Sequence, residues 1–430
     1  MSQIVTLADA VEAPERAPGS LPEFRRYHPR PGHPDWPTLA AEARALAQEV
    51  RADLEPPRRG WREARRRAAA MATAVDNYQY NWRLHRRGQD ALRPLYFIWT
   101  TTRVCNFSCT YCDDHQGRKY PDLPNEGVLD TAGGRKLLRI MRTRASAVYF
   151  AGGEPMARPD LPDLTRTARD LHYYPIVVNT NASLVHGKLR QARWRTWLAD
   201  TDIVVVSLDS LCLETLGAMW AYRRPADVVR NLLLLRDLAK EMRVKLMVNT
   251  VIQPGRVADA RDVLDLCDDL GIWYCPVPVN VAAGVDRRLA DDPEYQGLAH
   301  TILERKRAGT RIIGSWRMNR RMLHSEPFEC RNTLKPHVDY DGHLVWPCKS
   351  TQNVAPAYVQ VLDFQHVDDI YDAASRLVNP NGFHGPAKNQ CGGSCNWAQH
   401  YTTDAYAHGL ERPLSLVGEV RGFLERGRAG

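Results

Sequence analysis

The stretch VCNFSCTYC, residues 104–112, gathers three thiols, Cys105, Cys109 and Cys112, at spacings of three and then two intervening residues. The next cysteine, Cys212, lies a hundred residues further on. A structural zinc site calls for four ligands in a compact set. Three thiolates suit a cubane iron–sulfur cluster that leaves one iron without a protein ligand. Such an iron can chelate a small molecule through an amine and a carboxylate.

Four further cysteines fall late, at Cys330, Cys348, Cys391 and Cys395. Between the first two, HVDYDGHLVWP carries an Asp-Gly pair, Asp341-Gly342, flanked by alternating runs, which predicts a β-hairpin. Gly392 and Gly393 leave the chain between the last two free to wrap a metal. Two pairs of thiols compose one complete site, either structural zinc or a second [4Fe–4S] cluster. Cys267, in VLDLCDDLG, reads as a buried helix residue, and Cys212 and Cys275 read as core.

These residues need a scaffold, and the middle of the chain supplies its pattern. Apolar runs of strand length occur at residues 95–101, 147–151, 175–180, 202–209, 243–251 and 272–280. Amphipathic stretches separate them, DTAGGRKLLRIMRTR, DLPDLTRTARDLH, LRQARWRTWLAD, ADVVRNLLLLRDLAKE and VADARDVLDLCDDLG. Continuous apolar strands joined by helices predict a parallel sheet covered on both faces. Six βα units fall short of the eight that close a full barrel, so the expectation is an α/β protein with a partial (β/α)6 barrel. The three clustered cysteines follow its first strand, on the face formed by strand C-termini.

Before the barrel, residues 1–36 are Pro-rich and aperiodic, and two helical patterns follow up to about Gly88. The expected division is 1–92 arm and helical extension, 93–315 barrel, 316–400 a small α+β domain with the late metal site, and 401–430 a helical tail. The chain of 430 residues has a formal net charge of +8, concentrated in PPRRGWREARRR and RLHRRG. A solvated helix face, nucleic acid and an acidic redox partner are three readings of that charge, the first favoured. No apolar run is long enough to span a bilayer, and the N-terminus lacks the pattern of a signal peptide, so the expected location is cytoplasmic, away from membranes.

The Cys-x3-Cys-x2-Cys spacing, with Tyr111 before the third cysteine, resembles the signature of radical S-adenosylmethionine (radical SAM) enzymes. FAGGEP at the second strand is similar to that family's glycine-rich segment, which implies that Gly152, Gly153 and Glu154 meet the amino group of the methionine moiety. NTNASL resembles the segment that faces that moiety, through Asn179 and Asn181, with Ala182 in place of a glycine. VSLDS resembles a segment contacting ribose or methionine, through Ser207 and Asp209, with Ser210 in place of a glycine. Arg223 or Arg224 sits where an arginine often binds the methionine carboxylate, Arg224 being the one taken. The late cysteine layout resembles the auxiliary-cluster twitch domain, a short relative of the SPASM domain, and within it the aminocyclitol dehydrogenases of antibiotic pathways.

The resemblance implies S-adenosylmethionine and a [4Fe–4S] cluster as cofactors, a probable second [4Fe–4S] cluster or zinc, and an acidic electron donor such as flavodoxin or ferredoxin. It implies reductive cleavage to a 5′-deoxyadenosyl radical, then hydrogen abstraction from a small polar metabolite of aminocyclitol, aminoglycoside or sugar type, ending in dehydrogenation. Redox-neutral dehydration or epimerisation, or modification of a ribosomal peptide, are the alternatives. No residue stands out as a general base. Nucleic acid is not expected as a partner.

The thiolate count of three plus four predicts that anaerobically reconstituted protein holds about eight irons. Metal analysis giving about four irons and one zinc would keep the first site and remove the second cluster.

Overall fold

The six apolar runs form six strands: β1 (Tyr96–Thr100), β2 (Ala147–Ala151), β3 (Ile176–Thr180), β4 (Ile203–Ser207), β5 (Lys245–Ile252) and β6 (Trp273–Pro278). The computed structural model describes residues 32–89, 91–112, 127–281, 284–328, 331–346, 357–376 and 398–424. Each strand pairs in parallel with the next in sequence, from β1 to β6. The sheet does not close, so the molecule carries a partial (β/α)6 barrel.

Helices cover the outer face because their apolar stripes match the strands' outward residues. Before the barrel come α1 (Trp36–Arg51) and α2 (Trp61–Arg86). Between its strands run α3 (Thr131–Arg142), α4 (Leu161–Asp170), α5 (Val185–Leu189), α6 (Trp197–Asp200), α7 (Leu213–Trp220), α8 (Pro225–Met242) and α9 (Val257–Leu270). Local chemistry sets their ends. The Asp130 carboxylate caps α3 by accepting from the Gly133 amide at 2.7 Å. Pro225 opens α8, and α9 stops at Gly271 with φ of 64°. Phe97, Trp99, Phe150, Leu137 and Leu164 share one core, in which Cys267 is also buried.

One expected helix breaks. LRQARWRTWLAD runs from the end of α5 through a 3-10 turn, Ala192–Trp194, into α6. The bend buries Trp194 against Trp197, centroids 5.9 Å apart. It also delivers the Asp200 carboxylate to Arg58 at 3.2 Å and Arg166 at 2.5 Å.

The basic N-terminal region is partly internal. α1 packs along α8, and α2 crosses the N-terminal ends of the strands, where the Asn77 side chain donates to the Pro94 carbonyl at 3.0 Å. Arg66, 2% exposed, donates to Asp202 at 2.5 Å and to Glu63 at 2.9 Å. Arg67 joins Glu63 at 2.6 Å. Glu63 stands within one turn of both arginines on α2, whereas Asp202 arrives from far along the chain, a pairing that sequence pattern alone does not show. A partner docked on α2 would face the end of the barrel opposite the cysteine loop.

After β6 come a short ribbon, β7 (Asn280–Val281) with β8 (Gly284–Val285), then α10 (Arg287–Ala290), α11 (Pro293–Arg307) and α12 (Trp316–Leu323). The expected hairpin forms from β9 (His337–Val338) and β10 (His343–Trp346), with Gly342 at φ of 89° in its turn. β11 (Ala357–Gln360) extends it. β9 pairs in parallel with β1, so the barrel sheet grows to nine strands. α13 (Val367–Ser375), α14 (Tyr401–Glu411) and α15 (Pro413–Leu424) complete the chain, and Tyr78 of α2 donates to the Gly409 carbonyl of α14 at 3.0 Å. Cys330, Cys348, Cys391 and Cys395 lie outside the described residues, as does nearly all of the Pro-rich arm.

Arg66→Ala would leave Asp202 without its buried counter-charge, while Glu63 keeps Arg67 and Arg169. The expected loss is about 3 to 5 kcal/mol of folding stability, read by urea denaturation; a loss below about 1 kcal/mol would mean that the network is solvated.

Candidate active site at the cysteine loop

Residues 101–112 leave β1 without regular helix or strand, so the cysteine loop is shaped by what holds it. The first hold is backbone. Gly153 N–H donates to the Thr102 carbonyl at 2.8 Å and Glu154 N–H to the Val104 carbonyl at 2.7 Å. Gly152 has φ of 118°, and a Cβ there would stand 2.5 Å from the Thr102 carbonyl oxygen. A Cβ on Gly153 would strike the Val104 carbonyl. Both glycines are needed because two backbones touch. The two glycines thus let the end of β2 lie directly against the cysteine loop.

Glu154, fully buried, is the second hold. Its Oε1 accepts from the Met156 amide at 2.9 Å and the Thr180 hydroxyl at 2.8 Å, and its Oε2 from the Asn181 amide at 2.7 Å. The carboxylate thereby joins the end of β2 to the end of β3. Burial pushes its pKa up to about 7 despite those three donors. Asn181 carries the tie onward, its side-chain amide donating to Asn106 at 2.9 Å and lying 4.0 Å from the Cys105 sulfur. Ala182, where the resembling segment has glycine, sits at φ of 59°. That left-handed conformation explains the glycine preference and costs alanine about 1 kcal/mol.

The third hold comes from α7, and sequence reasoning missed it. Ser108 N–H donates to the Trp220 carbonyl at 2.9 Å and Thr110 N–H to the Met219 carbonyl at 3.2 Å. Phe107 stacks on Trp220, centroids 5.1 Å apart, and meets Tyr222 at 4.4 Å. The Trp220 indole donates to Asp209 at 3.0 Å, and the Tyr111 hydroxyl also donates to Asp209. Asp209 accepts the Val251 amide at 2.8 Å as well. Burial raises the Asp209 pKa and, with the Asp209 charge, raises that of Tyr111. The cluster of Phe107, Trp220 and Tyr222 was available in the sequence only as scattered aromatics. Arg158, also missed, clamps the loop base by donating to the Thr101 carbonyl at 2.8 Å and the Leu129 carbonyl at 2.6 Å.

These holds bring Cys105, Cys109 and Cys112 together, each partly exposed. Burial lifts the Cys105 thiol to about 12, with the Glu154 charge adding to it. Cys109 is raised by burial and then by the charge of Cys112. Metal binding requires thiolates, so loading this loop releases protons. Among the described residues no three Cys, His, Asp or Glu side chains close on one point as the ligands of a single ion do; thiolates on separate corners of a cubane answer to a wider spacing. The donor set of three soft thiolates fits an iron–sulfur cluster with one open iron.

The remaining candidates divide. Asn179 faces inward on β3, and its buried Oδ1 has no hydrogen-bond partner among the described residues, which fits an acceptor for a bound ammonium. Ser207 ends β4 on the same inward side, beside Asn249 of β5. Arg224 does not join the site: its side chain is 76% exposed and pairs with Asp227 at 3.2 Å. The reason is helical, since Arg224 is the residue before Pro225 and turns toward the first turn of α8.

Residues 99–267 match the family described as the radical SAM superfamily. The pre-heme d1 synthase of Dinoroseobacter shibae is 28% identical over 179 residues, 41% of this chain and 41% of that protein. The GTP 3′,8-cyclase of Rhodococcus opacus is 29% identical over 170 residues, 39% of this chain and 46% of that protein. The chain thus spans less than half the length of these curated relatives. Among solved structures, native anSMEcpe with bound AdoMet superposes with a TM-score of 0.52 at 14% identity, over 75% of this chain and 99% of that one, which supports the fold. Among the described residues no helix is long and apolar enough to cross a membrane.

Glu154→Ala would leave three donors without their acceptor and free the Cys105 side of the loop. Iron content of the reconstituted protein is expected to fall together with S-adenosylmethionine affinity, each hydrogen bond to the carboxylate being worth about 1.5 to 3 kcal/mol. Iron at the wild-type level with affinity alone reduced would make Glu154 a ligand contact and not a brace.

Proposed function

We propose that this chain, whose residues 99–267 form a radical SAM domain, is an enzyme that abstracts a hydrogen atom from a small polar metabolite and oxidises it. The observation that carries this reading is the braced loop presenting Cys105, Cys109 and Cys112 at the strand C-termini above an inward-facing polar ring. When bound, a [4Fe–4S] cluster and S-adenosylmethionine supply one-electron cleavage of the sulfonium and the abstracting power.

The chain's own residues do the rest. Cys105, Cys109 and Cys112 hold the cluster on three corners. Asn179 and Ser207 line the approach to it, offering an acceptor and a hydroxyl to the methionine moiety. Glu154 and Asp209 hold the loops in register with their carboxylates turned inward to protein donors, which makes them positioning residues. The outer helices seal the sheet and keep water from the strands' outward face.

Dehydrogenation is favoured over redox-neutral dehydration, epimerisation or peptide modification by the resemblance of the late cysteines to dehydrogenase spacing, those cysteines holding a second [4Fe–4S] cluster or zinc. An acidic flavodoxin or ferredoxin is the proposed electron donor. Aminocyclitols and sugars define the starting substrate panel.

Cys105→Ala, Cys109→Ala and Cys112→Ala are each expected to abolish 5′-deoxyadenosine formation under strong chemical reductant. Cys267→Ala should leave it intact, at a stability cost of about 1 to 3 kcal/mol for a core change. Turnover surviving in any triplet variant would remove the loop from the chemistry.

A further inference from the structure

Exposed arginines stand at both ends of the barrel. On α2, Arg62 and Arg65 flank Trp61, which is 77% exposed. At the end that carries the cysteine loop, Arg223 and Arg224 form the turn between α7 and α8, and both are exposed.

The second pair is built into the surroundings of the loop. α7 ends where Ala221 takes a left-handed φ of 49°. Beyond that turn the Tyr222 ring packs on Phe107, centroids 4.4 Å apart, while the two arginines face solvent. Phe107 lies between Cys105 and Cys109 in sequence, and its N–H donates to the Cys105 sulfur at 3.4 Å. The Met219 and Trp220 carbonyls, at the end of α7, accept from Thr110 and Ser108. Asn106 and Thr110 of the loop are exposed. Packed protein therefore runs without a break from the arginine turn through Tyr222 and Phe107 to a cysteine sulfur.

The turn is also cationic. Arg223 has no side-chain partner among the described residues. Arg224 meets Asp227 at 3.2 Å with its own side chain 76% exposed, and Asp227 also pairs with Arg230 at 2.8 Å, so one shared carboxylate does not neutralise the turn. Glu214, an exposed acid of α7, belongs to its first turn, about 10 Å along the axis from the helix end. An exposed cationic surface draws in a negatively charged protein and orients it. The arginines of α2 cannot deliver an electron to the loop as well. β1 alone, five residues long, puts roughly 17 Å of sheet in between, and electron transfer slows exponentially with separation.

We propose that an acidic one-electron donor protein docks on the α7–α8 turn, against Arg223 and Arg224 and the exposed Asn106 and Thr110 of the cysteine loop. The inference rests on the functional reading given above and assigns its electron donor a place. The docked donor loses one electron and the cluster on Cys105, Cys109 and Cys112 gains it, with no bond made or broken between the two proteins.

The test measures 5′-deoxyadenosine formation by the full-length reconstituted protein, driven either by reduced flavodoxin or ferredoxin or by dithionite. Arg223→Glu combined with Arg224→Glu is expected to slow the protein-driven reaction by about 10-fold or more at low salt and to leave the dithionite reaction at the wild-type rate. Lysine at both positions should keep both rates, which separates charge from folding. Arg62→Glu combined with Arg65→Glu on α2 should change neither. Added salt should slow the protein-driven reaction of wild type and have little effect on the double glutamate variant. A second readout needs no turnover: in Arg223→Lys, carbodiimide should couple the new amine to a flavodoxin carboxylate, located by peptide mass spectrometry, and in Arg62→Lys it should not. An unchanged protein-driven rate in the glutamate variant, an equal loss with dithionite, coupling at position 62 in place of 223, or a wild type that dithionite drives and neither donor protein does would overturn the proposal. Coupling at position 223 with no 5′-deoxyadenosine formed under any reductant would sink the functional reading and leave the docking surface standing.

Discussion

The contact on which the site depends is that of two backbones at Gly152 and Gly153. A loop with no secondary structure has only a few ways to hold three thiols in place, and here the end of β2 lies against it, amide to carbonyl, at 2.7 to 2.8 Å. Any side chain at either glycine would separate the two segments by more than either could yield. Once they touch, Glu154 is fully buried, and its carboxylate must find donors or protonate. It finds the Asn181 and Met156 amides and the Thr180 hydroxyl, which fixes the end of β3 as well. Asp209 repeats the device on the other side, tying the end of β4, β5, α7 and Tyr111 to one carboxylate.

This layout explains what the sequence shows and what it hides. The six strands, the cysteine triplet and the Asp-Gly hairpin were legible, because each follows from local periodicity or local turn chemistry. The glycines of FAGGEP were legible through the family resemblance, whereas their contact with the cysteine loop is a tertiary one that the sequence does not show. Trp220 was not, since its link to residues 107–111 is a tertiary pairing between a helix end and an irregular loop. Arg224 stands exposed beside Asp227 at the start of α8, a placement that resemblance, which fixes only a position along the chain, does not give. In the Arg66 network the Glu63 pair is local, one turn away on α2, and the Asp202 pair was hidden because it is a fold-level contact far along the sequence.

Charge is distributed by depth. At the N-terminal end of the barrel, arginines of the extension meet Asp200, Asp202 and Glu63 in a dense ionic layer. At the C-terminal end, Glu154 and Asp209 are buried and saturated by hydrogen bonds from neutral protein donors. Between these layers the inward faces of the six strands carry no acid.

Strand β9 ties the end of the chain back to the start of the barrel. Its pairing with β1 joins Ile98 to His337, residues separated by nearly the whole barrel in sequence. Contacts of such separation require the intervening chain to be ordered before their closure entropy is recovered. The six parallel strands each pair with the preceding one and can form in sequence, whereas β9 has no site until β1 is in the sheet. The hairpin that follows β9 also reaches the cysteine loop directly, because Asp339 pairs with Arg103 at 3.0 Å.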